Sequence, residues 1–153
     1  MYPSNLYKEH NLGTKDYSTI NIQVGNSADP SNNQIEILEK IKKYKNKNIK
    51  IFAPLSYGGE QSYVDTVISK GEEIFGDRFI PILKFMKSEE YFDFLENIDI
   101  AIFAHKRQQA MGNIITLLGL GKKIYIRTSI TSWQFFKDID VRLFDYNQLN
   151  LIS

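Results

Sequence analysis

Small polar side chains are concentrated in one short stretch, VGNSADPSNN, at residues 24–33. Gly25 lets the backbone turn and lets another group approach it closely. Asn26, Ser27, Asn32 and Asn33 supply neutral hydrogen-bond donors and acceptors. Such a loop can contact a hydroxyl-rich or phosphate-bearing ligand without adding charge. It suits a well-capped turn between a strand and a helix equally well, and the residue types alone do not separate the two interpretations.

A second candidate site lies in a stretch without acids. Between Asp99 and Asp138 the only charged residues are basic: Lys106, Arg107, Lys122, Lys123, Arg127 and Lys137. Arg107 precedes a predicted helix whose first turn, Gln108, Gln109 and Ala110, lacks the acids favoured there. Free N–H groups at a helix start beside an arginine suit an anion, and Gly112 would allow close approach. The alternative is an apolar helix that merely lacks acids on its buried face.

Composition excludes several other chemistries. The chain has 153 residues, enough for one domain with a sizeable core, and a net charge of +1, which does not indicate a nucleic-acid partner. It has no cysteine and two histidines, so disulfides, thiolate sites and a histidine-rich metal site are disfavoured. The loop also lacks the further glycines of a dinucleotide fingerprint, and no P-loop sequence is present.

The hydrophobic pattern shows how these motifs are positioned. Six short β-rich runs, beginning near residues 20, 49, 79, 99, 123 and 141, alternate with helical patterns. This alternation predicts a doubly wound parallel α/β sheet of the Rossmann-like class. The polar loop then follows the first strand, at the sheet edge where ligands bind. Ser31 and Gln34 predict a capping box with a helix start near Asn32, and Gly71 predicts the end of the second helix.

The two ends of the chain differ from its middle. Residues 1–18 are polar and without a clear period, so we interpret them as a linker or lead-in, and residues 19–153 as one domain. The sequence stops soon after the sixth predicted strand, where such folds usually add another helix. We therefore expect a piece of a longer protein, although a small complete protein with frayed ends is the alternative.

Four segments resemble a known enzyme family: VGNSADPSNN (24–33), SYGGEQSYVDTVISKG (56–71), RQQAMGN (107–113) and the stretch from Arg127 to Trp133 and Gln134. They are similar to the bacterial transferases of 4-acetamido-4,6-dideoxygalactose (fucosamine), over about residues 19 to 145. The resemblance implies a dTDP-sugar donor and a polyprenyl-diphosphate-linked oligosaccharide acceptor, as in enterobacterial common antigen synthesis. It also implies a two-domain GT-B architecture, of which this chain resembles the C-terminal, nucleotide-sugar-binding half.

The resemblance also implies roles for individual residues. Gly25, Asn26 and Ser27 would face the cleft near the donor sugar or diphosphate, with Asn32 and Asn33 in the same loop. Arg107, Gln108, Gln109 and Gly112 would surround the diphosphate, and Arg127 and Gln134 would lie at the cleft edge. The loop with Lys84 and Phe85 would hold the base. The resemblance gives no catalytic residue and implies no metal cofactor.

Two functional hypotheses follow. The first is the donor-binding domain of a glycosyltransferase, inactive alone and on the cytoplasmic side, either free or peripheral to the bacterial inner membrane. The second is a non-catalytic nucleotide-binding or regulatory α/β module, because a fold alone does not fix a function.

Overall fold

The computed structural model of the protein describes residues 18–106, 111–128, 131–139 and 142–151. The described strands are β1 Ile20–Val24, β2 Ile49–Pro54, β3 Phe79–Ile82, β4 Ile100–Ile102, β5 Lys123–Ile126 and β6 Phe144–Asp145. The described helices are α1 Gln34–Ile41, α2 Gln61–Phe75, α3 Ser88–Glu96, α4 Met111–Gly119 and α5 Thr131–Asp138. The predicted linker up to residue 17 and the predicted site residues Arg107, Gln108 and Gln109 lie outside the described residues.

The strands form one parallel sheet. Their order is β3-β2-β1-β4-β5-β6, and each neighbouring pair is parallel. The chain therefore moves outward from β1 to β3, crosses back to β4 beside β1, and moves outward again to β6. The strand order reverses between β1 and β4, which makes this the topological switch point of a doubly wound sheet. The predicted fold class is confirmed.

Apolar side chains cover both faces of the sheet. Since alternate residues of a strand point to opposite faces, β1 places Ile22 and Val24 in the cluster with α1 and α2. The other cluster contains Phe52 of β2 and Phe94 of α3, together with residues of α4 and α5. Gln23, between Ile22 and Val24, is fully buried and faces this second layer.

Two predicted helix boundaries are wrong. The capping box fails because the Asp29 carboxylate, not Ser31, accepts a hydrogen bond at the start of a single 3-10 turn, Pro30–Asn32. Asn33 then adopts a φ of 55°, and α1 begins at Gln34. Gly71 does not end α2, which continues to Phe75. Its role is steric, since a Cβ at Gly71 would overlap the ring of Phe79.

Both edges of the sheet are short. β3 has four residues and includes Pro81, which has no backbone N–H. β6 has two residues and begins later than the sequence predicted. The Lys123 Nζ and Arg142 Cζ atoms lie 4.6 Å and 5.0 Å from the centre of the Phe144 ring.

No helix in the described ranges is both long enough and apolar enough to cross a membrane.

Candidate functional site

The polar loop after β1 begins with a residue that must be glycine. Gly25 has a φ of 71°, in the left-handed region that glycine tolerates best. Its N–H donates to the Ile102 carbonyl at 3.0 Å, which continues the pairing of β1 with β4. A Cβ at this position would lie 2.8 Å from Asn32 Oδ1. Gly25 therefore lets the loop fold back over the end of β1.

Asn32 holds this loop together. Its Oδ1 accepts from the Asn26 N–H at 2.8 Å, and its Nδ2 donates to Ser27 Oγ at 3.0 Å and to the Asp29 carbonyl at 2.9 Å. The residue is only 1% exposed. The described contacts of Asn32 and of the largely buried Ser27 are thus with the loop itself, and their contact with a ligand stays a prediction.

The next two residues connect the loop to neighbouring elements. Asn33 Nδ2 donates to the Ala104 carbonyl, just beyond β4, at 2.8 Å. Gln34 is fully buried, and its Nε2 donates to the Ser27 carbonyl at 2.5 Å. Its Oε1 accepts from the Tyr63 hydroxyl of α2 at 2.6 Å. Contacts distant in the sequence therefore fix the shape of the loop.

A cavity of about 530 Å³ opens beside this loop. It lies at the carboxyl ends of β2 and β3 and is bordered by the first turns of α3 and α4. Its lining combines apolar and aromatic side chains with amide and hydroxyl groups and one lysine: Asn26, Pro54, Ser56, Tyr57, Ile82, Phe85, Met86, Lys87, Ser88, Tyr91 and Asn113. Tyr57 and Phe85 are among the most exposed large apolar residues of the described chain. Of the predicted loop residues, Asn26 is the one that reaches this cavity.

A hydroxyl–amide pair polarises one wall of the cavity. Tyr91 of α3 donates its hydroxyl hydrogen bond to Asn113 Oδ1 in the first turn of α4. Burial raises the pKa of Tyr91 to about 12, so the hydroxyl stays protonated near neutral pH. Asn113 thereby keeps its amide N–H groups oriented beside the cavity. This pair can orient a polar edge of a ligand without supplying charge.

Three buried side-chain atoms of the described residues have no hydrogen-bond partner: Gln23 Oε1, Ser31 Oγ and His105 Nδ1. They belong to β1, the loop after it and the segment after β4, so all three flank the switch point. A buried polar atom without a partner costs roughly 1–3 kcal/mol. Such costs are uncommon in a core, and their concentration at one place is typical of a functional site.

His105 is the buried ionisable group of this region. It is 3% exposed, and its ring stacks on Phe103 with centroids 6.3 Å apart. Burial lowers the pKa of His105 to about 4, although the nearby Asp29 carboxylate acts in the opposite direction. The imidazole is therefore neutral at physiological pH. It offers a hydrogen-bonding group to this region, not a positive charge.

The basic residues of the acid-free stretch do not form one patch. Lys122 and Lys123 lie at the amino end of β5, on the sheet edge opposite the cavity, and Lys122 Nζ donates to the Glu96 carbonyl at 2.6 Å. Arg127 follows the other end of β5, and its Nη2 atom lies 2.6 Å from Glu36 Oε2. The local excess of positive charge in the sequence is thus divided between two edges and partly neutralised.

The other predicted site residues lie in two places. Gly112 is in the first turn of α4, where a Cβ would meet nothing within 4 Å, so the space beside it is open. Gln134 lies on α5, is exposed, and donates from Nε2 to Asp138 Oδ1 at 2.7 Å. Ligand binding by these two residues, by Arg127 and by the three outside the described residues stays a prediction.

Sequence reasoning missed part of the cavity wall. Neither Tyr57 nor Tyr91 is among the site residues that the sequence predicts, although both line the cavity. Asn113 was noticed only within a family segment. Phe85 was implied by the resemblance, and it does line the cavity. A tyrosine among apolar helix residues carries a hydroxyl that needs a partner, and that is the signal that could have identified Tyr91.

Comparison with protein families gives one match over nearly the whole chain. The family is described as 4-alpha-L-fucosyltransferase, glycosyl transferase group 56, and the match covers residues 1–151.

Solved structures share the fold at low sequence identity. The N-terminal domain of Candida albicans trehalose-6-phosphate phosphatase is 14% identical, with a TM-score of 0.69 over 95% of this chain and 33% of that one. The C-terminal domain of a Francisella tularensis glycosyl transferase group 1 family protein is 11% identical, with a TM-score of 0.62 over 79% of this chain and 73% of that one. An E. coli structure, described as trehalose-6-phosphate bound with UDP-2-fluoro glucose, is 13% identical, with a TM-score of 0.62 over 92% of this chain and 36% of that one.

These similarities establish the fold. The chain has the Rossmann-like architecture of the C-terminal halves of GT-B glycosyltransferases. It spans about a third of the length of the first and third of these structures, at 33% and 36%.

Proposed function

The chain belongs to the 4-alpha-L-fucosyltransferase family, glycosyl transferase group 56, and from that premise we propose that it is the nucleotide-sugar-binding domain of a glycosyltransferase. The observation that carries the proposal is the cavity of about 530 Å³ at the carboxyl edge of the sheet. It is bordered by the loops after three strands and by the first turn of α4. Its volume lies in the range of small-molecule sites, about 300–1,000 Å³.

The lining of the cavity suits the parts of a nucleotide sugar. Tyr57 and Phe85 offer exposed aromatic surface to a flat base. Asn26 lines the same cavity as Asn113 in the first turn of α4, where helix N–H groups would favour a diphosphate. Asn113, held by Tyr91, can donate to a carbonyl or hydroxyl of the donor. These groups are neutral, whereas Lys87 adds a cation to the lining of the cavity. The charge of the diphosphate would be met by Lys87 together with the helix dipole and the backbone N–H groups.

The chemical task of such a domain is to hold the leaving group. As the sugar departs, negative charge grows on the diphosphate oxygens. Preorganised donors at the start of α4 would stabilise that charge more than they stabilise the bound donor. We assign the role of catalytic general base to no residue of the described chain. No metal takes part in the proposed transfer.

The finer proposal names the substrates. We propose that the donor is a dTDP-linked 4-acetamido-4,6-dideoxygalactose and that the acceptor is a polyprenyl-diphosphate-linked oligosaccharide, as in enterobacterial common antigen synthesis. The segments around Gly25 and Gly112 support this through their resemblance to the fucosamine transferases. The acceptor would bind a further domain across the cleft, at the cytoplasmic face of the inner membrane, and the 153-residue chain alone would not transfer sugar.

A titration tests the binding proposal. Adding dTDP to the chain should shift the backbone amide NMR signals of Asn26, Tyr57 and Asn113. The expected affinity is weak, about −4 to −6 kcal/mol, because one side of the cleft would come from another domain. Thymidine is the matched control, and it should shift Tyr57 but leave the start of α4 unchanged. Shifts confined to the lysine-rich residues 40–50 would contradict the proposal, since they would report nonspecific attraction of a polyanion.

A further inference from the structure

Arg127 is held in place by an unusually complete set of partners. It follows the last residue of β5, and its side chain is only 14% exposed. Its Nη2 donates to Glu36 Oε2 at 2.6 Å, and its Nε donates to the Ala104 carbonyl at 2.8 Å. Its Cζ atom lies 4.9 Å from the centre of the Tyr146 ring. The guanidinium therefore connects three parts of the fold that are far apart in the sequence.

The partners of Arg127 are themselves fixed. The Tyr146 hydroxyl donates to the same Glu36 Oε2 atom at 2.9 Å. Although partial burial of Glu36 acts in the opposite direction, hydrogen bonds from Tyr146 and Arg127 hold the pKa of its carboxyl below the ordinary value. Glu36 is thus ionised at neutral pH, and it anchors one end of the guanidinium. We call Glu36, Arg127, Tyr146 and the Ala104 carbonyl the Arg127 clamp.

The other end of the clamp acts on the segment after β4. The Ala104 carbonyl accepts two hydrogen bonds, from Arg127 Nε and from Asn33 Nδ2, each at 2.8 Å. Ala104 is fully buried, so this carbonyl would otherwise lack partners at a substantial cost. The next residues are His105 and Lys106, which lead towards α4. The clamp thus sets the direction in which the chain leaves the switch point.

We propose that Arg127 is a positioning residue for the donor site. Its Nε orients the segment from Ala104 to Lys106 through the Ala104 carbonyl, while Glu36 neutralises the charge of the guanidinium. The inference rests on the proposed function, because the segment matters for binding only if the donor diphosphate lies at the start of α4. Direct contact with the ligand is the competing role, and there the guanidinium would have to leave Glu36. The two roles predict opposite changes in the affinity for dTDP when the charge of Glu36 is removed.

The test uses Glu36→Gln and a matched control on the same helix. Glu39 is also ion-paired, with Lys70 Nζ at 2.6 Å, and both glutamates are 47% exposed. Each change removes one negative charge from α1, but of the two glutamates only Glu36 belongs to the Arg127 clamp. The measurement is the dissociation constant for dTDP, obtained by NMR titration of the 153-residue chain, with a thermal melt for each variant.

The positioning role predicts that Glu36→Gln weakens dTDP binding by about threefold to tenfold, although the charge change alone favours an anion. Glu39→Gln should bind as the wild type does. Arg127→Lys should also weaken binding by about tenfold, because an ammonium cannot reach both Ala104 and Glu36 as the guanidinium does. Without ligand, the carbonyl-carbon signal of Ala104 should move in Glu36→Gln and Arg127→Lys and stay in place in Glu39→Gln.

Other outcomes would overturn the inference in different ways. Tighter dTDP binding by Glu36→Gln would show that Glu36 competes with the ligand for Arg127. Equal affinities in Glu36→Gln and Glu39→Gln would show that the clamp does not act on the site. Failure of the wild-type chain to bind dTDP would overturn the proposed function itself, and the inference with it.

Discussion

Two segments at the same edge of the sheet use their side chains in opposite ways. The loop after β1 is polar, yet Asn32 and Gln34 turn inward and bond to the loop and its neighbours. The segment between β3 and α3 is apolar at Leu83 and Phe85, yet these side chains are 54% and 71% exposed. The polar segment is closed on itself, and the apolar segment is open to a ligand.

The contrast shows how the proposed binding edge is built. Amide side chains are versatile, so a loop rich in them can satisfy its own backbone and become rigid. An exposed aromatic side chain has no such internal use, and it stays available to a partner. The polar loop thus supplies shape, with Asn26 at its outer side, and the apolar segment supplies contact area.

The largest effect on stability should come from Gly59→Ala. Gly59 lies between β2 and α2 and packs against Ala28 of the polar loop, so the change tests whether that loop is rigid. A Cβ at Gly59 would overlap the backbone carbonyl of Ala28, and backbone cannot rotate away as a side chain can. We expect a loss of at least about 3 kcal/mol in the free energy of unfolding. Gly119→Ala is the control, since a Cβ there meets nothing within 4 Å; it should gain about 0.5 kcal/mol. Urea denaturation measures the free energy of unfolding of both variants. Equal values would mean that the loop can move to accommodate the added methyl group.

Two asparagines of the polar loop should separate shape from contact. Asn32→Ala removes the acceptor of the part-buried Asn26 N–H and the amide that donates to Ser27 Oγ and to the Asp29 carbonyl, so we expect a loss of about 2–3 kcal/mol. Asn26→Ala removes a side chain at the cavity and should change stability by less than about 0.5 kcal/mol. Asn26→Ala should nevertheless weaken dTDP binding. If Asn32→Ala is as stable as the wild type, the loop does not depend on its internal bonds.

The buried histidine beside the loop gives a pH dependence. Burial lowers the pKa of His105 to about 4, below the ordinary value of 6.5. Above pH 6.5 both folded and unfolded chains hold a neutral imidazole, so stability is unaffected. As the pH falls towards 4, the unfolded chain binds a proton that the folded chain does not, and stability is lost. Between pH 7.5 and pH 5, His105 should lower the free energy of unfolding by about 2 kcal/mol.

The check is the difference between the wild type and His105→Gln in urea denaturation at each pH. The subtraction removes the contributions of the carboxylates, which both proteins share. The wild type should lose stability relative to the variant as the pH falls. A constant difference would show that the imidazole is protonated in the folded chain or reaches solvent freely.

The smallest effect on stability should come from the open segment. Phe85 is 71% exposed, so Phe85→Ala should change the free energy of unfolding by less than about 0.5 kcal/mol. Loss of a base-stacking aromatic should still weaken dTDP binding by about tenfold. Phe92→Ala is the control, because Phe92 is also exposed, on α3, but does not line the cavity. Equal affinities of the two variants would show that the base lies elsewhere.

The fold could be predicted because its signals are local. Short apolar runs alternating with helical patterns determine a doubly wound sheet, and the position of the loop after β1 follows from chain order. The use of each side chain in that loop could not be predicted in the same way. Asn26 and Asn32 are the same residue type, and they differ because Gly25 folds the loop so that one is enclosed.

Non-local partners account for most of what the sequence could not show. The sequence places Arg127 among the basic residues of an acid-free stretch, and its pairing with Glu36, 91 positions away, follows from the fold alone. The cavity wall combines Tyr57, Tyr91 and Asn113 from three elements, and no spacing in the sequence connects them. The capping box at Ser31 failed for a nearer reason, since Asp29 competes for the same role two residues earlier.

The two outer strands have a consequence for how the protein behaves in concentrated solution. An exposed strand edge is a template on which another chain can add a strand, and this is a common route to aggregation. Here one edge carries Pro81, which cannot donate a hydrogen bond, and the other has two residues with Lys123 and Arg142 over Phe144. The described sheet therefore offers little backbone for intermolecular pairing, which protects the chain from edge-to-edge aggregation when its concentration is high.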